Sequence, residues 1–337
     1  MSRALDKIMS KETLSEQEAQ HLVMEMMEGA VTQEEMAAVL AILQFRGETV
    51  DELVGFAKGM KQKSIQISLP FEVMDTCGTG GDGSSTYNIS TAVAILLSSM
   101  GVNVAKHGNR SVSSKTGSAD VLEELGIPFQ KNEKEAEDML RKHHLTFLFA
   151  QTYHSAMKNV APVRKKLAMK TIFNLLGPLT NPAGASHRII GVYDVEAARK
   201  MAEASRRLGI QRALFVCGED GLDEITIQGK TTVIEVNQGT IKEYTISPED
   251  LGLSTNDIDG AIVETPQESA ALIQAIFQEK APEAARDLLL LNAGAGLYVQ
   301  GAVSSMSEGV HAARKALGEP VMKHLEALQM EKEASNT

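Results

Sequence analysis

Over residues 1–65, apolar positions recur at helical spacing behind the same polar signal three times. Ser15-x-x-Glu18, Thr32-x-x-Glu35 and Thr49-x-x-Glu52 each place a hydroxyl where it can accept from the backbone N–H three residues on. A glutamate at that position returns the bond, and the exchange marks a helix start. Behind these signals Leu22, Met26 and Met27, and then Met36, Val39, Leu40 and Leu43, give helical apolar faces. Gly29 and Gly47 stand where C-terminal caps are expected. The pattern predicts a small all-helical domain. Its methionines read as core filler, and a face left uncovered by the rest of the chain would invite a partner subunit.

From residue 71 the pattern changes. Short apolar runs at 71–74, 102–105 and 146–150 alternate with helix-like segments, which implies a parallel sheet. The Glu/Lys-rich stretch 133–144 reads as a surface helix. Its adjacent His143 and His144 read as solvated, because neighbouring positions on a helix do not face one ligand. Residues 155–182 break the alternation, which resumes with a strand over 188–193, a helix over 196–208 and a strand over 213–217. A strand pair, 231–236 and 240–246, turns about Asn237-Gln238-Gly239. The C-terminal third reads as mostly helical, over 283–298 and 307–317, and the last residues, EKEASNT, are expected to fray. No internal repeat is present. The predicted fold class is α/β: a small helical domain plus a larger domain with a mainly parallel central sheet flanked by helices.

Composition narrows the function. A chain of 337 residues with 43% hydrophobic content is long enough for two domains and can bury a core in each. A net charge of −11, no tryptophan and only 4% aromatics argue against a nucleic-acid surface, which relies on clustered cations and stacking rings. Cys77 and Cys217 lie far apart in apolar runs and read as small buried thiols, not a disulfide or zinc site. No apolar stretch reaches the length of a membrane span, so a cytoplasmic protein is expected.

The chemistry concentrates between residues 75 and 125. After the first strand, Gly78, Gly80, Gly81 and Gly83 clear side chains from the backbone, Ser84, Ser85 and Thr86 add hydroxyls, and Asn88-Ile89-Ser90-Thr91 opens an apolar helix. After the second strand come Lys106, His107, Gly108, Asn109 and Arg110, then Ser111, Ser113, Ser114, Lys115, Thr116 and Ser118. Two loops of this kind, each leading into a helix, suit a polyphosphate. Gly78-x-Gly80-x-x-Gly83 also matches the dinucleotide fingerprint in form. That reading wants an acidic residue at the end of the next strand, where this chain has Lys106. Asp223-Glu224, in a turn after a later strand, would alone read as a solvated acidic turn. Beside a polyphosphate it reads as a magnesium site.

GTGGD, NIST and KHGNRSVSSKTGSAD, in this order and spacing, together with PVRKKL, FNLLGPLTNP and GLDEIT, resemble the anthranilate phosphoribosyltransferases over nearly the whole chain. Thr116 stands where that family often has Ser and keeps the hydroxyl. The resemblance implies a division into a helical dimerisation domain, residues 1–68 with about 155–182, and a donor-binding α/β domain, residues 69–154 with 183–337. It implies transfer of the phosphoribosyl group of phosphoribosyl pyrophosphate to anthranilate, in a homodimer with two Mg²⁺ per monomer. The donor would be contacted by Gly78, Gly81, Asp82, Thr86, Asn88, Ile89, Ser90 and Thr91 from the first loop. From the second it would meet Lys106, His107, Gly108, Asn109, Arg110, Ser111, Val112, Ser113, Ser114 and Ser118. Gly78, Asn109 and Arg164 would contact anthranilate. Ser90 with Glu224 would hold one magnesium, and Asp223 with Glu224 a second. Lys106 and His107 are the candidate catalytic residues, Lys106 stabilising the leaving anion and His107 positioning substrate. Pyrimidine nucleoside phosphorylases share the architecture, and some relatives of the transferases bind nucleic acid; the KHGNRSVSS motif and the acidic charge speak against each in turn.

Overall fold

The computed structural model describes residues 3–110 and 115–334. Four helices open the chain: α1 Arg3–Met9, α2 Glu16–Glu28, α3 Gln33–Arg46 and α4 Val50–Gln62. Ser15 and Thr49 form the full reciprocal capping box with Glu18 and Glu52, and Thr32 accepts from the Glu35 N–H. Gly29 ends α2 left-handed at φ 78°. Glu52 does more than cap. Fully buried, it also accepts from the Leu14 N–H and pairs with Arg46, which ties the α1–α2 link to α4.

The α/β part follows in the order β1 Met74–Gly78, α5 Ile89–Ser99, β2 Val104–Gly108, α6 Ser118–Glu124, α7 Glu133–His143 and β3 Leu145–Phe149. Three short pieces, α8 Ala150–Tyr153, α9 Ala161–Leu167 and α10 Ile172–Leu176, then lead to β4 His187–Gly191, α11 Val195–Arg207 and β5 Arg212–Gly218. A hairpin of β6 Thr231–Asn237 and β7 Thr240–Ile246 precedes α12 Pro266–Phe277, α13 Glu283–Gln300, α14 Met306–Ala316 and α15 Glu319–Ala334. The seven strands lie in the order β3-β2-β1-β4-β5-β6-β7, with β1 to β5 parallel and the hairpin antiparallel. Gln238 and Gly239, both at positive φ, make the hairpin turn. The strand order reverses between β1 and β4, which is where a crevice forms at the carboxyl ends of a parallel sheet.

Alternation along the strands divides the core. Leu214 and Val216 of β5 face a cluster built on α5, α12 and α13, while Ala213 and Phe215 face a second cluster that continues into the helical bundle. Val160, Val163, Ile172 and Phe173 join that second cluster, so α9 and α10 pack on α3 and α4. Two expectations need adjusting. The first strand begins at Met74, after Phe71, Glu72 and Val73, because its pairing to β4 runs from Met74 to Gly78. His143 and His144 are half-buried and partnered, by Glu331 at 3.0 Å and Asn103 at 2.9 Å, because α15 and the turn before β2 pack over the end of α7.

Candidate active site

A cleft of about 840 Å³ opens at the carboxyl ends of the strands and brings together both glycine-serine loops, the acidic turn and the α8–α10 region. The first loop leaves β1 at Gly78. Gly80, Gly81 and Gly83 adopt positive φ of 66°, 80° and 76°, a run that side-chain-bearing residues rarely tolerate. Tyr87 anchors the far end by donating its hydroxyl to the Ala285 carbonyl at 2.8 Å. Asn88 begins α5 without capping it, because its side chain and N–H are both engaged by Ser269. The first turn of α5 points at the cleft, where the Glu224 carboxylate meets the Ser90 N–H. Gly78, Gly81, Asp82, Thr86, Asn88, Ile89 and Ser90 all line the cleft. Thr91 lies behind its wall, fully buried, with its N–H donated to the Asn88 carbonyl.

On the second wall, β2 carries Lys106 and His107 inward, so both are strand residues and buried. Lys106 Nζ donates to the Thr76 carbonyl and to Ser90 Oγ at 3.1 Å, which aims the ammonium at the start of α5. Burial pushes its pKa down, and Asp75, Cys77 and Glu224 oppose that shift. The His107 ring stands 5.0 Å from that of His154, and neither His107 Nε2 nor the His154 ring nitrogens have a hydrogen-bond partner among the described residues. Burial lowers these histidines to about 4 and about 3, so both are neutral at neutral pH. Gly108, Asn109 and Ser118 line the cleft, with Ser118 Oγ donating to the Asn109 carbonyl at 3.2 Å. Arg110 also lines it, but its guanidinium pairs with Asp120 and Glu123. Ser111, Val112, Ser113 and Ser114 lie outside the described residues.

The acidic turn sits against two glycines. Asp223 Oδ2 accepts from the Gly80 N–H at 2.7 Å, and Asn292 holds Ile225, the residue after Glu224, by exchanging two bonds with its backbone. Burial, and then the Asp82 carboxylate, pushes Asp223 up to about 8. Glu224 is raised well above the usual range, by burial first and Asp223 second. Two desolvated carboxylates that resist ionising side by side, with Ser90 and Lys106 opposite, fit a bound cation. The described residues hold no group of three or more acidic, histidine or cysteine side chains arranged for a metal. A donor set this sparse suits Mg²⁺ that completes its shell with phosphate and water.

The wall opposite the glycine loops was only partly visible in the sequence. Arg164 on α9 lies with its guanidinium 5.5 Å from the Phe173 ring centre, has its pKa lowered by burial, and has no ion-pair partner among the described residues. Lys166, two residues on, instead reaches Gln33. His154, Phe173 and Pro178 share the cleft with Arg164. The FNLLGPLTNP stretch contained two of them, but neither a phenylalanine nor a proline announces a ligand contact by type.

Comparison with known proteins follows the same division. The profile described as "Glycosyl transferase family, helical bundle domain" matches residues 2–64, and "Glycosyl transferase family, a/b domain" matches residues 71–319. Anthranilate phosphoribosyltransferase of Shouchella clausii (strain KSM-K16) is 51% identical over 333 residues, 98% of each chain. The crystal structure of anthranilate phosphoribosyltransferase from Thermus thermophilus superposes with a TM-score of 0.91 at 38% identity, covering 98% of this chain and all of that one. The Saccharomyces cerevisiae enzyme of that name, in complex with PRPP and Mg, gives a TM-score of 0.87 at 26% identity over 98% of this chain and 97% of its own.

Proposed function

The chain belongs to the anthranilate phosphoribosyltransferases of the glycosyl transferase family, and we propose that its cleft binds phosphoribosyl pyrophosphate along the glycine-loop wall and anthranilate beside Arg164. The enzyme transfers the phosphoribosyl group to the amine of anthranilate, giving N-(5-phosphoribosyl)anthranilate and pyrophosphate in tryptophan biosynthesis. The observation that carries the assignment of roles is one cleft with a helix N-terminus and a buried lysine on one side and, on the other, a guanidinium without an ion-pair partner among the described residues.

In the transfer, the C1–O bond to pyrophosphate breaks as the amine lone pair forms the C1–N bond, and the new ammonium sheds one proton to solvent. Negative charge grows on the departing oxygen. Lys106, Ser90 and the first turn of α5 face that charge from a buried wall, where such donors act most strongly. The cleft-facing groups of Gly78, Gly81, Thr86, Asn88 and Ile89, with Asp82, hold the donor, together with Lys106–Ser114 and Ser118. Ser90, Asp223 and Glu224 would hold magnesium, two ions per monomer with Glu224 shared, and the metal would neutralise pyrophosphate charge. Arg164 takes the anthranilate carboxylate, with Gly78 and Asn109 alongside. His107, neutral and short of a partner, positions substrate.

The exposed Phe45 on α3 supports a homodimer through the helical bundle, and two unbridged cysteines suit the cytoplasm. We assign residues 1–68 with about 155–182 as the helical dimerisation unit and residues 69–154 with 183–337 as the donor-binding unit. The direct test is pyrophosphate release with magnesium, donor and anthranilate. Release that requires anthranilate supports the reading; release of a free base from a nucleoside and phosphate would oppose it.

A further inference from the structure

Beyond Met74↔Val104 the register between β1 and β2 stops, although β1 pairs with β4 at five positions and β2 with β3 at five. Side chains take over the gap. Asp75 Oδ1 accepts from the His107 N–H at 3.1 Å, and Oδ2 accepts from Asn181 Nδ2 at 2.7 Å. The same amide donates to the Ala105 carbonyl at 2.8 Å, and Asn181 Oδ1 accepts from the Ala183 N–H at 2.8 Å. Each partner fixes the polarity of the next, so the chain of bonds has one arrangement. Asp75 and Asn181 are both fully buried. Arg188, opposite Asp75 in register on β4, donates to the Pro178 and Ala185 carbonyls.

The pair therefore sits where three pieces meet: the start of β1, the end of β2 with Lys106 and His107, and the segment that brings Gly177 and Pro178 into the cleft. We propose that Asp75 and Asn181 are positioning residues for the transfer, setting the donor-side end of β2 against the acceptor-side segment 177–181. The proposal rests on the assignment of donor and acceptor sides above. A buried carboxylate held this way contributes little net stability over an apolar replacement. Placement of reacting groups, by contrast, is sensitive to shifts of about 1 Å. Neither residue touches the space where substrates would lie, which separates their role from that of Lys106.

The test uses Asp75→Asn, Asn181→Asp and the two together. Asp75→Asn can set an amide donor against the Asn181 amide. Asn181→Asp sets two carboxylates together and leaves the Ala105 carbonyl without its donor. In the double variant the amide on β1 donates to the carboxylate on the segment and still accepts from His107, so only the Ala105 carbonyl stays unpaired. Each single variant should lose about 10- to 150-fold in kcat. Donor affinity, measured by calorimetry with magnesium present, should stay within about threefold, and the double variant should recover at least about tenfold in kcat over the worse single one. Should Asp75→Asn not fold, Asn181→Ala, which adds no buried charge, carries the same expectation for kcat and donor affinity. Singles that melt as wild type does and keep kcat would overturn the proposal. So would equal losses in donor affinity and kcat, no recovery in the double, or loss of folding in every variant. Wild-type turnover in the same assay tests the functional reading separately.

Discussion

The Asp223 carbonyl oxygen lies so close to Gly191 that a β-carbon on that glycine would fall 1.5 Å from it, and one on Gly78 would fall 2.4 Å from the Asp223 carboxylate. The ends of β1 and β4 are thus bare so that the acidic turn can lie across them at the point where the strand order reverses. Gly191→Ala should force that turn away. Forced overpacking typically costs about 1–3 kcal/mol, and each kcal/mol lowers Tm by about 2–4 °C in a domain of about 150–250 residues and by less in a larger one. Activity should fall more than stability and need more magnesium. A variant with wild-type magnesium dependence would show that the turn is not a metal site.

Replacing the carboxylates themselves should act in the opposite direction on stability. Asp223, raised in the fold from 3.8 to about 8, keeps a proton that the unfolded chain has already lost, so it destabilises increasingly as pH rises between those values. Asp223→Asn with Glu224→Gln should therefore raise Tm at pH 8 without magnesium and abolish any further rise on adding it. Melting curves with and without Mg²⁺ decide this. A lower Tm for the neutral pair at pH 8 would contradict the burial argument.

Arg164→Ala should weaken anthranilate use selectively. Losing a charge-assisted hydrogen bond costs about 1.5–3 kcal/mol, or about 10- to 150-fold in KM for anthranilate. The donor KM should barely move. Equal losses for both substrates would make the Arg164–Phe173 contact a packing element of the bundle.

His107 should not behave as a titrating base. With its pKa lowered to about 4 by burial, it is neutral throughout pH 6–9. His107→Asn should lower kcat by about tenfold or less, the effect of one neutral hydrogen bond, and leave the shape of the pH profile unchanged. The stability sign is separate: unfolded histidine takes up a proton near 6.5 while His107 and His154 resist it, so the fold loses stability as pH drops below about 6.5. Tm of His107→Asn should fall less than wild type between pH 7 and 5. A hundredfold loss in kcat together with a vanished ionisation near 6.5 would make His107 the base.

What the sequence disclosed followed the physics of local signals. Capping boxes at Ser15 and Thr49, the Gln238-Gly239 turn and the first glycine-serine loop depend on neighbours in the chain, and each stands where the pattern put it. Asp223 and Glu224 were visible as adjacent carboxylates, but their strength as a site comes from Gly191 and Gly78, far away in sequence. The same holds for the acceptor side. His154 and Pro178 have no local signature, and Asp75 reads as one polar residue after the first apolar run until Asn181 is folded against it. Burial of Lys106 was likewise hidden, since a lysine at a strand's end looks exposed until α5 and the acidic turn close over it.

Whether this cleft joins a phosphoribosyl donor to anthranilate is read by following anthranilate fluorescence with purified protein. With phosphoribosyl pyrophosphate and Mg²⁺ present, the signal should change continuously as N-(5-phosphoribosyl)anthranilate forms, stop when either substrate or the metal is omitted, and slow sharply in Arg164→Ala at low anthranilate. A folded protein that binds the donor yet leaves the fluorescence unchanged would contradict that activity.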